Sequence, residues 1–239
     1  MSTLSCDIRV MTSGAFTAAF LDLIPLFERA TQNKIVVAAT SMGTGANSIP
    51  SRLQRGEPVD VVIMADGALV NLIKDGRVLA ESHVALARSS IGMAVRAGAP
   101  RPDISSVDAL KRTLLQAKSI AYSSSVSGDY LSTELFQRLG IADQIIGKSR
   151  RIEGERVGAV VARGEAEIGF QQVSELLPVP GIDYVGPLPP GVQRDTVFSA
   201  GVAAGTRISE AAYALIRFLA SPEAAHAITK SGMEPMAPR

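Results

Sequence analysis

The stretch Ile8–Phe27, IRVMTSGAFTAAFLDLIPLF, decides the class of fold. It starts as a short apolar run typical of a strand and passes through the small residues Thr12, Ser13 and Gly14. Helical spacing then follows, because apolar side chains recur at intervals of four, four and three residues, at Phe16, Phe20, Ile24 and Phe27. A strand, a turn and a helix in this order predict an α/β protein.

The same alternation continues along the chain and predicts a second α/β series after a break. The break is the Gly/Pro-rich segment 97–102. Strands are predicted at 34–39, 59–64, 90–95, 119–122, 167–171 and 196–202, and helices near 48–54, 107–115, 129–139, 156–163, 209–219 and from 221. The proline-rich segment 178–190 is predicted to close the second series as a loop, and the sheets are expected to be largely parallel.

The returning strand 196–202 implies that the chain crosses between two lobes twice. We expect residues 1–89 and 197–239 to form lobe 1 and residues 90–196 to form lobe 2. The hinge then lies near 88–97 and 194–203 and consists of two strands. A ligand cleft between the lobes is the expected consequence.

Composition excludes several classes of function. The 239 residues carry 24 basic and 23 acidic side chains, a net charge of +1, and no basic run denser than Lys148–Arg151, so a nucleic-acid surface is not expected. With one cysteine and two histidines, neither a disulfide nor a metal centre is expected, and no cofactor is predicted. No apolar run reaches the ~18 residues of a membrane span. The start lacks a secretory signal, so we expect a periplasmic protein if a leader was removed and a cytoplasmic one otherwise.

Familiar catalytic and nucleotide-binding motifs are absent from the sequence. Gly43-Thr44-Gly45 lacks the third glycine of a dinucleotide fingerprint, since Ser48 stands there. A Gly-x-Ser-x-Gly elbow does not occur, and His83 is predicted to be a loop residue without a catalytic context.

Polar loops at the ends of four strands predict an anion site. They are Thr12–Gly14, Ser41–Ser48, Ser123–Gly128 and Glu153–Glu155. Helix N-termini carry unpaired N–H groups, and hydroxyls beside them add donors. Arg88 and Arg156 are candidates to pair with a carboxylate. The alternative is that each Ser, Thr or Asn only caps its own helix.

The chain resembles the molybdate-binding branch of the type 2 periplasmic solute-binding proteins. The matching segments extend from the first strand to the last helix and are Ile8–Gly14, Arg52–Ile63, Asp103–Arg112, Val126–Tyr130, Gly164–Phe170 and Phe218–Ala225. The resemblance implies a two-lobed receptor that closes on a small ligand. In transport systems such receptors deliver the ligand to an ABC permease.

The resemblance also implies which positions contact the ligand. The family places neutral donors in four loops, and the matching or neighbouring positions here, together with the arginines above, are Thr12, Ser13, Gly14, Ser41, Thr44, Asn47, Arg88, Ser125, Ser127, Gly128, Tyr130, Gly154, Arg156 and Gln172. Ala15 stands where the family has a serine, and Gln172 where it has a tyrosine. These departures favour a larger and more polar ligand than molybdate.

The residues and the family resemblance together predict two main functions. One is an ABC-type solute-binding protein for a small anion, and it is expected to be a monomer. The anion is an oxyanion or a di- or tricarboxylate, and the departures at Ala15 and Gln172 agree better with the carboxylate. The alternative is an isomerase on the same fold, such as aconitate isomerase, which interconverts trans- and cis-aconitate by a proton shift. Glu153, Glu155 and Asp129 are equal candidates for its base. A ligand sensor without its partner domain is a third, less favoured reading.

Overall fold

The structure is a computed structural model that describes residues 6–38, 40 and 45–236. The chain divides into two compact units. Unit 1 contains the residues up to Arg88 and those from Val197 onward, and unit 2 contains Ser89–Thr196. The chain therefore passes from one unit to the other at Arg88–Ser89 and returns at Thr196–Val197.

Strands and helices alternate through both units. Up to the first crossing they are β1 (Asp7–Thr12), α1 (Gly14–Thr31), β2 (Lys34–Ala38), α2 (Ile49–Gln54), β3 (Val61–Ala65), α3 (Asp66–Lys74) and β4 (Val84–Ser89). Those of unit 2 are β5 (Ile91–Arg96), α4 (Val107–Gln116), β6 (Ile120–Ser123), α5 (Val126–Tyr130), α6 (Phe136–Arg138), α7 (Ala142–Ile145), β7 (Ser149–Ile152), α8 (Val157–Ala162), β8 (Ile168–Gln172), α9 (Val173–Leu176) and β9 (Ile182–Pro187). The last elements are β10 (Thr196–Val202), α10 (Ser209–Leu219), α11 (Pro222–Lys230) and β11 (Glu234–Pro235).

Unit 1 contains a mixed sheet with the strand order β11-β4-β10-β3-β1-β2. β1 is parallel to β2 and to β3, whereas β10 runs antiparallel to β3, with Phe198 opposite Ala65. The predicted helix face is confirmed on α1, since Phe16, Phe20 and Phe27 are fully buried and Ile24 is half-buried. Because β1 and β3 are parallel neighbours, their carboxyl ends lie beside each other.

Unit 2 contains a second mixed sheet with the order β7-β6-β8-β5-β9. β6 is parallel to β7 and β8, whereas β5 runs antiparallel to β8 and β9. The α/β class is confirmed, but the expectation of largely parallel sheets was wrong. β10 runs opposite to its neighbour β3 and β5 opposite to both of its neighbours, so each sheet contains antiparallel pairs.

Two segments of unit 2 differ from the sequence prediction. The proline-rich segment predicted as a loop contains β9, an edge strand that tolerates proline because Pro187 stands at its end. The helix predicted near 129–139 begins at Val126 and has a π-helical stretch at Leu131–Leu135. There the hydroxyls of Ser132 and Thr133 donate to the carbonyls of Gly128 and Asp129, which disturbs the regular helical ladder.

Candidate functional site

The first candidate loop of unit 1 follows β1 and starts α1. Ser13 is the N-cap residue of this helix, yet its hydroxyl makes no capping bond. The Ser13 Oγ is buried and has no hydrogen-bond partner among the described residues, whereas its backbone N–H donates to the Ile63 carbonyl at 2.8 Å. Within the described ranges, no group therefore satisfies the Ser13 hydroxyl at the start of this 18-residue helix, a position that suits an anion.

The second candidate loop of unit 1 is only partly described. Ser41 and Thr44 lie outside the described residues, and Asn47 is exposed. Ser48 caps α2, because its hydroxyl accepts a bond from the Ser51 N–H at 3.4 Å. The capping alternative therefore holds for Ser48.

A carboxylate that the sequence did not single out begins α3 at the carboxyl end of β3. The Oδ1 of Asp66 accepts a bond from the Ser199 hydroxyl at 2.6 Å and lies 2.6 Å from the Nε2 of His83. Partial burial opposes ionisation of Asp66, but these two contacts outweigh it and lower its pKa. Ser199 bonds to Asp66 and not to His83, so the three residues lack the order of a nucleophilic triad.

The serine loop of unit 2 follows β6 and contains three hydroxyls in mutual contact. The Oγ of Ser123 lies 2.7 Å from that of Ser125 and 3.0 Å from that of Ser127. Ser124, which was not selected from the sequence, is 2 % exposed, and its Oγ has no partner among the described residues. Gly128 approaches the strand so closely that a Cβ there would lie 1.6 Å from the Ser123 carbonyl oxygen.

The loop after β7 holds the predicted glycine and arginine. Gly154 has a φ of 75°, a left-handed conformation that favours glycine. Arg156, the N-cap residue of α8, is half-buried, and its guanidinium has no hydrogen bond or ion pair among the described residues. An unpaired and partly buried guanidinium is suited to bind a carboxylate.

The three predicted bases have different surroundings. Glu155 forms two bonds to the guanidinium of Arg163, at 2.9 and 3.0 Å. Asp129 forms an ion pair with Arg151 at 3.0 Å. Glu153 is exposed and has no ion-pair partner in the described part of the chain.

Two glutamines end β8, and both amides are used within unit 2. The Oε1 of Gln171 accepts a bond from the Val157 N–H at 2.9 Å. With its amide oxygen accepting from the Thr196 hydroxyl at 2.9 Å, Gln172 donates to the carbonyls of Ser89 and Ser90 at 3.1 and 3.2 Å. Gln172 thus ties the end of β8 to both points at which the chain enters and leaves unit 2.

Two other predicted ligand residues are also engaged with neighbouring groups. The guanidinium of Arg88 pairs with Glu234, at 2.6 Å from its Nη2 to the carboxylate. The buried Tyr130 donates its hydroxyl to the Val192 carbonyl at 2.8 Å. The guanidinium of Arg194 lies 4.1 Å from the centre of the Tyr130 ring and binds Glu134 through two nitrogens.

Parallel pairing brings the polar groups of unit 2 to one edge. Ser123 pairs with Ile152, and the next residue, Ser124, donates its N–H to the Ile152 carbonyl at 2.9 Å. Tyr122 pairs with Phe170, so β8 ends beside the serine loop. We call the loops after β6 and β7, together with α9, which follows β8 directly, the carboxyl edge of unit 2. It combines serine hydroxyls, the N-termini of α5 and α8, and the guanidinium of Arg156, which has no partner within the described ranges.

The carboxyl edge also contains a buried acid that sequence reasoning missed. Glu175, on α9, is 3 % exposed, and burial raises its pKa to about 8 despite the opposing effects of Arg156 and Gln171. The signal in the sequence is an acid within the otherwise uncharged run QQVSELLPV, residues 171–179.

Within the described ranges, no cluster of three or more His, Cys, Asp or Glu side chains suited to a metal ion is found. None of the helices in those ranges has the length and apolar character needed to span a bilayer.

The chain is similar in sequence to known proteins over nearly its whole length. Residues 8–234 match the profile of a family described as bacterial extracellular solute-binding protein. An aconitate isomerase from a Pseudomonas species is 48 % identical over 230 residues, which cover 96 % of this chain and 88 % of that protein.

Solved structures show the same fold at low sequence identity. The periplasmic molybdate-binding protein of Azotobacter vinelandii is 20 % identical, with a TM-score of 0.75 over 97 % of this chain and 100 % of that one. The sulfate-binding protein of Mycobacterium tuberculosis is 15 % identical, with a TM-score of 0.75 over 97 % of this chain and 87 % of that one. A periplasmic thiamin-binding protein is 16 % identical, with a TM-score of 0.75 over 99 % of this chain and 85 % of that one.

Proposed function

Because the chain belongs to the bacterial extracellular solute-binding protein family, we propose that it binds a small di- or tricarboxylate and isomerises it as an aconitate isomerase. The 48 % identity to an aconitate isomerase along 96 % of the chain carries this proposal. This identity favours an isomerase over a receptor without catalysis, which the sequence by itself favoured.

The carboxyl edge of unit 2 supports a carboxylate as the ligand. The Arg156 guanidinium has no hydrogen bond or ion pair with any described residue, and its fork of N–H donors matches a carboxylate. The Ser124 hydroxyl is buried and has no hydrogen-bond partner in the described part of the chain, and a ligand oxygen would satisfy it. The N-terminus of α5 adds partial positive charge, because its first N–H groups have no partner within the helix. A molybdate site held only by neutral donors needs no such arginine.

The reaction is a proton shift that balances without a co-reactant. A base removes a proton from the methylene carbon of trans-aconitate, the double bond moves by one position, and the former vinyl carbon receives a proton. Donors that hold the adjacent carboxylates stabilise the negative charge that develops between these two events. Arg156 and the serine loop are the groups proposed for that role.

We assign the base to Glu153 among the three candidates. A general base must be ionised and free to approach the carbon acid. Asp129 and Glu155 are held by arginines, whereas Glu153 has no ion-pair partner among the described residues. Glu153 also adjoins the serine loop, because it follows Ile152, whose carbonyl accepts the Ser124 N–H.

The test is to incubate the purified chain with trans-aconitate in D2O and to follow cis-aconitate and deuterium incorporation by NMR. We expect conversion in both directions, with Glu153→Gln slowing turnover at least ~100-fold, as loss of a general base does. Glu210→Gln, an exposed acid on α10, is the matched control and should convert at the wild-type rate. An unchanged substrate pool at high protein concentration contradicts catalysis.

A receptor without catalysis is the second candidate, favoured by the description of the family. In that case the protein acts outside the cytoplasm and transfers its ligand to an ABC permease. Calorimetry with trans-aconitate separates the two, since a receptor binds the acid and returns it unchanged. Absence of binding by any di- or tricarboxylate removes the isomerase and the carboxylate receptor, and leaves the predicted receptor for an oxyanion.

A further inference from the structure

Glu175 is a buried carboxyl group that the proposed proton shift does not use. It is the third residue of α9, which begins directly after β8, and is 3 % exposed. Neighbours on its own helix are uncharged, namely Val173, Ser174 and Leu176. A carboxylate in such a place is costly unless a cation or hydrogen-bond donors compensate it.

Two groups from neighbouring elements act on this carboxyl. Gln171, on β8, bonds to it through its side chain, while the Oε1 of the same amide accepts from the Val157 N–H at 2.9 Å. The guanidinium of Arg156, at the start of α8, attracts it electrostatically. β5 also packs on α9, but its charged residue, Arg96, stands at the end of β5 that lies away from Gln172. Among the described residues, one cation, Arg156, and one amide, Gln171, therefore act on Glu175.

The attraction to Arg156 stops short of an ion pair. Neither side chain forms an ion pair within the described ranges, and the guanidinium stays available. Burial raises the pKa of Glu175 to about 8, so the carboxyl is mostly uncharged at neutral pH. An uncharged acid next to a guanidinium competes weakly for it, whereas a carboxylate would compete strongly.

We infer that Glu175 is a positioning residue for Arg156: uncharged, it leaves the guanidinium free for a ligand carboxylate, and once ionised it draws the guanidinium inward. The inference rests on the proposed carboxylate site of unit 2. By linkage, the Glu175 proton and the ligand carboxylate then bind cooperatively, each strengthening the other. The ionised form of Glu175 also adds a negative charge near the ligand, and this charge lowers the affinity for the ligand carboxylate as well.

The experiment measures the Kd of trans-aconitate by calorimetry from pH 6.5 to 9.5 at fixed ionic strength. Carboxyl groups of a free acid are ionised throughout this range, so the ligand itself contributes no slope. For the wild type we expect the affinity to fall about tenfold for each pH unit above the pKa of Glu175. Glu175→Gln should lose that slope, since an amide cannot ionise.

Glu165→Gln is the matched control. Glu165 is an exposed acid of unit 2 that pairs with Arg163 and Arg150, and its removal should preserve the wild-type slope. A wild-type affinity that stays constant up to pH 9.5 overturns the inference. So does a Glu175→Gln variant whose affinity falls as the wild type does.

Failure of the proposed function is recognised separately. If trans-aconitate does not bind at any pH, the carboxylate site is wrong, and the coupling is then tested in the ligand-free chain by 13C NMR titration of the glutamate carboxyls. Arg156→Gln should raise the pKa of Glu175 further, because Arg156 favours the ionised form. An unchanged pKa shows that the two groups are not coupled and overturns the inference.

Discussion

The hydroxyl oxygens of Ser123 and Ser127 lie 3.0 Å apart, one at the end of β6 and the other in the first turn of α5. This contact is possible because α5 begins close to the end of β6. Gly128 permits the close approach, since the absence of a side chain leaves room for the Ser123 carbonyl. The serine loop is consequently a tightly packed turn, and the backbone N–H groups at the start of α5 are held in place.

Replacing Gly128 with alanine should destabilise unit 2. The added Cβ would lie 1.6 Å from a backbone oxygen, so the helix must move away from the strand. We expect a loss of about 3 kcal/mol in the free energy of unfolding, the upper end of the usual cost of overpacking. Urea denaturation followed by circular dichroism measures it. Gly147→Ala is the control, because nothing lies within 4 Å of its Cβ position; equal stability of the two variants contradicts the close approach.

Removing the Ser124 hydroxyl should weaken ligand binding without lowering stability. The Oγ is buried and has no partner among the residues that the structure describes, so Ser124→Ala removes an unsatisfied group from the free protein but a hydrogen bond from the complex. We expect trans-aconitate affinity to fall about tenfold or more. Ser149→Ala is a matched control, since its Oγ is equally unpartnered but stands at the amino end of β7, the opposite edge. Equal effects on affinity would place the ligand elsewhere.

The Tyr130 hydroxyl should contribute to stability. It donates to the buried carbonyl of Val192 at 2.8 Å, and Tyr130→Phe leaves that acceptor without its partner. We expect a loss of about 1–2 kcal/mol in the free energy of unfolding. Tyr122→Phe serves as the control, because the Tyr122 hydroxyl has no hydrogen-bond partner in the described ranges. Thermal and urea unfolding of the two variants should differ accordingly, and identical values contradict the prediction.

Stability should depend on pH through Glu175. Its pKa is about 8 in the folded chain against 4.5 in the unfolded reference, so between these values the folded chain keeps a proton that the unfolded chain has lost. The unfolded state then binds fewer protons, and the free energy of unfolding falls by up to about 1.4 kcal/mol per pH unit across that window. Below pH 4.5 and above pH 8 the group adds no slope.

Glu175→Gln should remove this part of the decline. Urea unfolding at pH 5, 6, 7 and 8 compares the variant with the wild type, and we expect the variant to gain relative stability at each step. Glu165→Gln again controls for the loss of a charge elsewhere in unit 2. Parallel curves for Glu175→Gln and the wild type would mean that the Glu175 carboxyl is ionised in the folded chain.

Local patterns were sufficient for much of the fold. The spacing of Phe16, Phe20 and Phe27 predicted the buried face of α1, and the apolar run 196–202 predicted β10 with its bounds. β9 was missed because prolines indicate a loop, although an edge strand tolerates them at its end. The sheets were wrongly predicted to be largely parallel, because the direction of a strand relative to its neighbours depends on the path of the whole chain.

Candidate ligand residues were predicted only at the level of loops. Arg156 and the serine loop follow neighbouring parallel strands, and strand order brings them to one edge. Arg88 and Tyr130 look equally suitable in the sequence, yet Glu234 and Val192 bind them. Those partners are 146 and 62 residues away in the chain, beyond the reach of any local pattern.

The sequence by itself determined the α/β class, the family resemblance and the loops that carry donors, because periodicity and helix starts are properties of neighbouring residues. Only the tertiary structure decided which donors remain unpaired. Among the described residues, it left the Arg156 guanidinium and the Ser124 hydroxyl without a hydrogen-bond partner. It bound Gln172 to Ser89 at the end of β4 and to Thr196 at the start of β10, and it buried Glu175 where Arg156 acts on it electrostatically. Hydrogen-bond partners and burial depend on residues that are distant in the chain and close in space, so no local pattern contains them.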